Sequence, residues 1–362
     1  MEGTTSGARR PAVTALRFAC NALIAAAGLC AAAFGLRSLG PVPTLFTLEH
    51  ARVAAERERC QVLFVGPSYV AAQIDPSEFD AEAARLGRRV RSCKFGGTGL
   101  RGAELQVHLE RLLALGWPRL SLVVIDVTLG PAPRLEKGNW YQPRVIQWHT
   151  TASMRWIADY YRKRAEAVPG ELIAAHLKHV AANYLNLGNG LEKVSLLALA
   201  QRARAAVGLP AELPVSKVVI DYERHQRRRV RAKKAQASAY LKKTSPAKHD
   251  RSVTKLIEQK QRIRARDKRM DSDFPLVLRA LVRARGHEAI FILAPVWRAR
   301  PARAKQPAGA EPIVLLDFND PAAFPELYEP RNRGRNHHLS WYGALAYSRH
   351  LARELAQSGR LP

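Results

Sequence analysis

The chain has 362 residues, 47% of them hydrophobic, and a formal net charge of +27 at neutral pH. This length supports one large domain with an insertion or two smaller domains, and the strong positive charge favours nucleic acid, anionic lipid or an acidic polymer as a partner. Four cysteines with neither a CxxC pair nor a Cys/His ligand spacing argue against a zinc motif.

The N-terminus has the pattern of a membrane anchor. Residues 1–17 are polar and basic, and residues 18–36, "FACNALIAAAGLCAAAFGL", contain no charge. About 20 apolar residues span a bilayer as a helix, and the preceding arginines indicate a cytoplasmic N-terminus with the rest of the chain exported. A cleaved signal peptide is the competing interpretation, because "CAAAFG" supplies small residues for cleavage.

Residues 37–60 read as a Gly/Pro linker followed by a short helix. From residue 61 to 135, apolar strand-like runs alternate with helical patterns: "VLFVG", a helix over 75–87, "RRVRSCKFGG", a leucine-rich amphipathic helix and "PRLSLVVIDVT". This alternation predicts a parallel sheet with helical crossovers. The strand register inferred for Cys60 and Cys93 places them several residues out of step, which argues against a disulfide between them.

Residues 136–275 read as a mostly helical insertion with the basic runs "ERHQRRRVRAKKAQ" and "KQRIRARDKRM". These runs lack interleaved aromatic residues, and export would remove nucleic acid as a target, so an acidic envelope polymer or anionic lipid is the better match. Residues 276–362 return to helix, two strands and a closing helix. The expected fold is a three-layer α/β/α sandwich with a parallel sheet, flavodoxin-like in layout, split by the insertion.

Three segments are expected at the carboxyl edge of this sheet, where open α/β folds bind ligands. Ser68 follows the first strand, in "FVGPSYV"; a glycine-rich loop, "KFGGTGLRG", follows the second; and "RNRGRNHHLSWYG" precedes the last helix. A serine needs a base to become a nucleophile, and backbone N–H groups of a glycine loop can hold an oxyanion. The three segments together predict acyl-transfer chemistry.

These motifs resemble the SGNH (GDSL-type) hydrolase superfamily, and most closely its membrane-anchored envelope members such as DltD and the alginate O-acetylation proteins. The resemblance covers roughly residues 61–130 and 285–358. It implies that Ser68 is the nucleophile, that Gly97 contributes to the oxyanion hole with Gly99 as second choice, and that His338, in "HHLSWYGA", is the base.

The sequence departs from that family at two points. The family places an Asp three residues before the histidine, where this chain has Arg335; Asn336 is the alternative orienting group and His337 the alternative base. The family also has an Asn after the third strand, for which Asp126 and Thr128 are the available substitutes here.

One more residue, His149, is a candidate for the pocket lining, but a packed aromatic cluster is the favoured explanation for it.

The expected function is a serine esterase or O-acyltransferase that acts on an acylated envelope carbohydrate through an acyl-enzyme on Ser68. It needs no metal or diffusible cofactor, and a membrane-bound acyl-exporting protein is a candidate partner. The alternative is a non-catalytic, membrane-anchored envelope protein that binds an anionic polymer or lipid through its basic insertion.

Overall fold

The structure, a computed structural model, describes residues 15, 18–25, 27, 28, 31, 45–129, 148–162, 170–184, 240, 242–267, 273–301, 309, 311–334 and 338–362. The chain divides into two compact units. One comprises Met1–Thr44 with Leu135–Glu212, and the other comprises Leu45–Arg134 with Leu213–Pro362.

The described part of the second unit begins with four helices and three strands. In chain order they are α1 (Leu45–Glu56), β1 (Val62–Gly66), α2 (Ser68–Gln73), α3 (Pro76–Arg85), β2 (Ser92–Gly96), α4 (Gly102–Leu113) and β3 (Leu122–Asp126). Local chemistry explains the start of α3, where the Asp75 carboxylate accepts hydrogen bonds from the N–H groups of Ser77 and Glu78. The predicted succession of strands and helices is confirmed over residues 61–129.

The first unit contributes two named helices, α5 (Thr151–Arg162) and α6 (Gly170–Tyr184). Its residues 18–25 are also helical, with largely exposed Phe18, Leu23 and Ile24. Within the part of the chain that the structure describes, no helix has the length and apolar character needed to cross a membrane. The transmembrane helix predicted at 18–36 is therefore not supported; its residues 26, 29, 30 and 32–36 lie outside the described ranges.

The remaining elements complete the sheet-bearing unit. They are α7 (Pro246–Ala265), α8 (Phe274–Arg283), β4 (Glu288–Leu293), β5 (Leu315–Asp317), two 3-10 turns (Pro325–Tyr328 and Pro330–Asn332) and α9 (Trp341–Gln357). Although α7 falls within the predicted insertion, its Leu256 and Val253 pack against the apolar core of this unit. The C-terminal end of the basic segment thus helps to build the sheet-bearing unit.

The sheet has five parallel strands in the order β2-β1-β3-β4-β5. From β1 the chain moves outward to β2 and then returns to place β3 on the other side of β1. This reversal is the topological switch point, and in doubly wound sheets the ligand lies at the carboxyl edge there. Ser68 follows β1 and Thr128 follows β3, so both lie at this edge.

Both faces of the central strands are covered. Val62 and Phe64 of β1 share an apolar cluster with Phe79 of α3 and Tyr347 of α9. The alternate residues of β1, Leu63 and Val65, are equally buried. The helix α8 contacts both β4 and α4. Burial on both faces explains why β1 and β3 are continuous apolar runs without alternation.

Cys60 and Cys93 form a disulfide, with their Cα atoms 6.0 Å apart, so the expectation against it was wrong. Cys93 pairs in register with Leu63, as the predicted strands require. Cys60, however, does not extend β1 backwards: its N–H donates to the Glu56 carbonyl at the end of α1. This turn brings Cys60 over β2, which the register of two extended strands could not reveal.

Candidate active site at the carboxyl edge of the sheet

Ser68 is the first residue of α2, and its side chain is partly exposed. β1 ends at Gly66, and Pro67 is the N-cap of α2, with its carbonyl accepting the N–H of Ala71. The first N–H groups of a helix have no acceptor within the helix. Ser68 therefore combines a hydroxyl at the carboxyl edge with a backbone N–H that can serve a developing oxyanion.

Two strand-terminal glycines let α2 approach the sheet closely. A Cβ on Gly66 would lie 2.6 Å from Val70 Cγ2 and 2.7 Å from Asp126 Cβ. A Cβ on Gly96 would lie 2.5 Å from the backbone nitrogen of Ala71. The glycines before Ser68 and at the end of β2 are thus required by the packing of the helix that carries Ser68.

Two contacts of Gly97 conflict with its expected role in the oxyanion hole. Its N–H donates to the Gly66 carbonyl at 3.2 Å, and a Cβ there would lie 2.0 Å from the ring of Phe46. An N–H that is already used in the ladder is not free for an oxyanion, so the geometry does not favour Gly97 as a donor. Gly99, at φ +72°, has an N–H without an acceptor among the described residues, which makes it the better candidate.

His338 contacts α2, the helix that begins with Ser68. Its Nδ1 is 3.1 Å from the side-chain nitrogen of Gln73, although the two residues are 265 positions apart in the chain. Its ring centroid is 5.2 Å from that of Tyr69. The structure thus brings the segments of Ser68 and His338 together: His338 contacts Tyr69 in the first turn of α2 and Gln73 at its end.

A buried arginine holds the loop that leads to His338. Arg333 is fully buried, its Nη1 donates to the Pro295 carbonyl at 3.0 Å, and its guanidinium carbon lies 4.3 Å from the centre of the Trp297 ring. Arg333 bridges Leu339 across the loop, and the Gly334 N–H donates to the His338 carbonyl at 2.8 Å. These two pairings hold the backbone of His338 and Leu339 against Arg333 and Gly334.

The environment of Arg333 is unusual for a cation. Its Nε and Nη2 have no hydrogen-bond partner among the described residues, and burial lowers the pKa of its guanidinium to about 10. The group remains charged at neutral pH. The faces of Trp297 and Tyr328 supply cation–π contact in place of a carboxylate.

Two residues of the predicted site, Asn336 and His337, lie outside the described residues, as does Arg335. The expectations that Asn336 orients the base and that His337 is an alternative base accordingly stay predictions.

Asp126 and Thr128 tie the end of β3 to its neighbours. The Asp126 carboxylate accepts the Thr128 N–H at 2.7 Å, and the Thr128 hydroxyl oxygen accepts the Ala294 N–H at 2.7 Å. Burial raises the pKa of Asp126 to about 7, and its second oxygen has no partner among the described residues. These two bonds tie the end of β3 to the end of β4 at the edge of the site.

His149 belongs to the other compact unit. It is fully buried, its Nε2 is 2.9 Å from His176 Nδ1, and its ring stacks on Trp148 at 3.8 Å between centroids. These contacts match the aromatic-cluster interpretation of this residue. Within the described ranges, no group of three or more His, Cys, Asp or Glu side chains has the arrangement to hold a metal ion.

Three buried polar side chains of the sheet-bearing unit had no signal in the sequence. Gln73 ends an unremarkable helical run, Arg333 is one of several arginines in its loop, and Lys260 lies in a basic stretch typical of a solvated helix face. Lys260 is nevertheless buried; its Nζ donates to the Arg300 carbonyl at 2.6 Å and pairs with the Asp317 carboxylate at 2.8 Å. Only the tertiary structure distinguishes these side chains from their neighbours.

No protein-family model matches the chain, and no curated protein matches its sequence.

Proposed function

We propose that the chain is an SGNH-like serine esterase or O-acyltransferase that acts on an O-acylated carbohydrate of the cell envelope. The observation that carries this proposal is the contact of His338 with Gln73 and Tyr69 on the helix that begins with Ser68. A partly exposed serine at the switch point of a parallel sheet, with a histidine against the same short helix, has the components of a nucleophile and its base.

In the proposed reaction, Ser68 Oγ attacks the ester carbonyl carbon while its proton passes to His338 Nε2. The electron pair of the carbonyl moves onto oxygen, which the N–H groups of Ser68 and Gly99 stabilise. When the carbonyl re-forms, the ester oxygen leaves with the proton from His338 and the acyl group stays on Ser68. Water or a sugar hydroxyl then repeats the sequence, giving hydrolysis or transfer respectively.

The proposal includes the finer architecture and location expected from the sequence: an SGNH-like three-layer sandwich, an N-terminal anchor at 18–36 and an extracytoplasmic catalytic unit. The Cys60–Cys93 disulfide supports export, because such bonds persist in oxidising compartments. The exposed apolar side chains of Phe18, Leu23 and Ile24 support membrane contact. A transferase of this kind would receive its acyl group from a membrane-bound exporting partner.

The test is covalent labelling of the purified full chain with a fluorophosphonate probe. We expect wild type to be labelled, Ser68→Ala to be unlabelled, and His338→Ala to be labelled at least about 100-fold more slowly. Ser252→Ala is the matched control, since Ser252 is an exposed serine on α7 whose hydroxyl donates to the Lys248 carbonyl. Folded wild type that takes up no label, or labelling that persists in Ser68→Ala, would refute the proposal.

A second candidate function, binding of an anionic polymer or lipid without catalysis, has support from α7. Its solvent-exposed basic side chains include Lys248, Arg251, Lys255 and Arg262. Neutralising Lys248, Arg251 and Lys255 together should abolish salt-dependent binding to anionic vesicles, whereas Ser68→Ala should leave it unchanged. Binding that is insensitive to these three substitutions would eliminate this candidate.

A further inference from the structure

We propose that Gln73 is the positioning residue of the base: its side-chain amide engages His338 Nδ1 and reserves Nε2 for proton exchange with Ser68. This inference rests on the proposed function. It assigns to a residue at the end of α2 the task that a carboxylate three positions before the histidine has in the related hydrolases, where this chain has Arg335.

The placement of Gln73 is well defined. Its side chain is completely buried and its Nε2 lies 3.1 Å from His338 Nδ1. Ser68 and Gln73 are the first and last residues of α2, so nucleophile and positioning residue share one short helix. Lys94 Nζ donates to the carbonyls of Ala71 and Ile74 at the end of this helix, which holds the turn that carries Gln73.

The amide group of Gln73 can accept the Nδ1 proton of the base once its oxygen faces that nitrogen. For Nε2 to accept the serine proton, neutral His338 must carry its own proton on Nδ1, and that N–H needs an acceptor. A half-turn about the last side-chain bond of Gln73 exchanges its two amide atoms, which brings Oε1 onto Nδ1. Oε1 is buried and has no partner among the described residues, so a hydrogen bond from the Nδ1 proton would remove the cost of leaving this acceptor unsatisfied.

Gln73 gives the base an uncharged partner in a site that also contains charged groups. His338 contacts Tyr69, and the charges that act on Tyr69 are Asp126, Arg300 and Arg333. Gln73 itself adds no charge beside the imidazole. A carboxylate in its place would stabilise the imidazolium, so Gln73→Glu is the substitution that tests the effect of charge at this position.

The experiment reads His338 directly by ring-nitrogen NMR of the full-length ¹⁵N-labelled chain, alongside the pH dependence of fluorophosphonate labelling. Wild type should carry the neutral-state proton on Nδ1. Gln73→Leu should lose this preference and be labelled at least about tenfold more slowly at saturating probe, with the probe concentration for half-saturation unchanged. Gln73→Glu should keep the proton on Nδ1 and raise the His338 pKa by about one to three units, moving the acid limb of labelling to higher pH.

Gln106→Leu is the matched control, because Gln106 lies on α4 and donates to Glu110 at 2.8 Å. A wild-type His338 that carries its proton on Nε2, or a tautomer and pKa that stay the same in all variants, would overturn the assignment. Should Gln73→Leu fail to fold, the His338 titration in Gln73→Glu decides the question alone. Absence of labelling at Ser68 would refute the proposed function, while the ring-nitrogen spectrum would still report on Gln73 and His338.

Discussion

Substituting Gly96 tests whether the fit of α2 against the sheet sets both stability and reactivity. In Gly96→Ala, the new Cβ would lie 2.5 Å from the Ala71 backbone nitrogen and 2.8 Å from its Cα. Ordinary contact begins at 3.4 Å, so α2 must move by about 0.9 Å. Because the obstacle is backbone, no rotation of a side chain can relieve it.

Two consequences follow from this displacement. Overpacking of this kind costs about 1–3 kcal/mol of unfolding free energy, or about 2–4 °C in melting temperature for each kcal/mol. The same shift moves Ser68 relative to His338, and a misplacement of about 1 Å can slow a reaction about 100-fold. We therefore expect a folded variant with a melting temperature lowered by about 2–12 °C and fluorophosphonate labelling slowed by about 10- to 100-fold.

Thermal unfolding and labelling kinetics measure the two effects on the same sample. Gly170→Ala is the control, since a Cβ at this exposed position on α6 meets nothing within 4 Å and its φ is not in the left-handed region. It should behave as wild type in both assays. A Gly96→Ala variant with wild-type stability and labelling would show that α2 does not depend on this close approach, and the reasoning would fail.

Three further predictions concern the surroundings of the site. Gly97→Ala should destabilise the chain by about 1–3 kcal/mol, because its Cβ would meet the Phe46 ring. In denaturant unfolding, the added substitution Phe46→Leu should recover part of this loss, and strictly additive losses would contradict the contact. Burial raises the pKa of Asp126 to about 7, above its value in the unfolded chain, so its contribution to stability is complete below about pH 4 and is lost as pH rises to about 7. Asp126→Asn should flatten this fall in unfolding free energy, measured by urea titration at several pH values, and an unchanged pH profile would refute the argument. The Cys60–Cys93 bond closes a sequence separation of 33 residues, so replacing both cysteines by serine should lower the free energy of unfolding by about 2–4 kcal/mol. Equal melting temperatures of the wild type with and without reductant would show that the bond does not form.

The sheet was accessible from sequence because its signals are local. β1 and β3 are buried on both faces, which demands uninterrupted apolar runs, and helices with capping residues such as Asp75 separate them. The carboxyl-edge position of Ser68 follows from the same alternation, since every strand in a parallel sheet ends at one edge. The encounter of His338 with α2 could likewise be anticipated, because its loop precedes the last helix of the sheet-bearing unit.

Other features depend on contacts between distant segments that leave no local pattern. Cys60 reaches Cys93 because the chain turns at the end of α1, so counting residues along extended strands gave the wrong expectation. Lys260 reads as one more solvated cation until its partner Asp317, 57 positions away, is seen beside it. Gly97 matched an oxyanion motif by type, whereas the paired Gly66 carbonyl shows how its N–H is used.

By itself, then, the sequence determined the parallel α/β character of the chain and the edge at which Ser68 stands. Buried strands need continuous apolar runs, and parallel strands all end at the same edge, so both features can be inferred from local sequence. The tertiary structure decided which polar side chains meet there. Gln73 against His338, and Arg333 between Trp297 and Tyr328, are pairings across helices and loops. Their selection depends on distances that only the packed chain defines, since a hydrogen bond extends over about 3 Å and no sequence spacing encodes it.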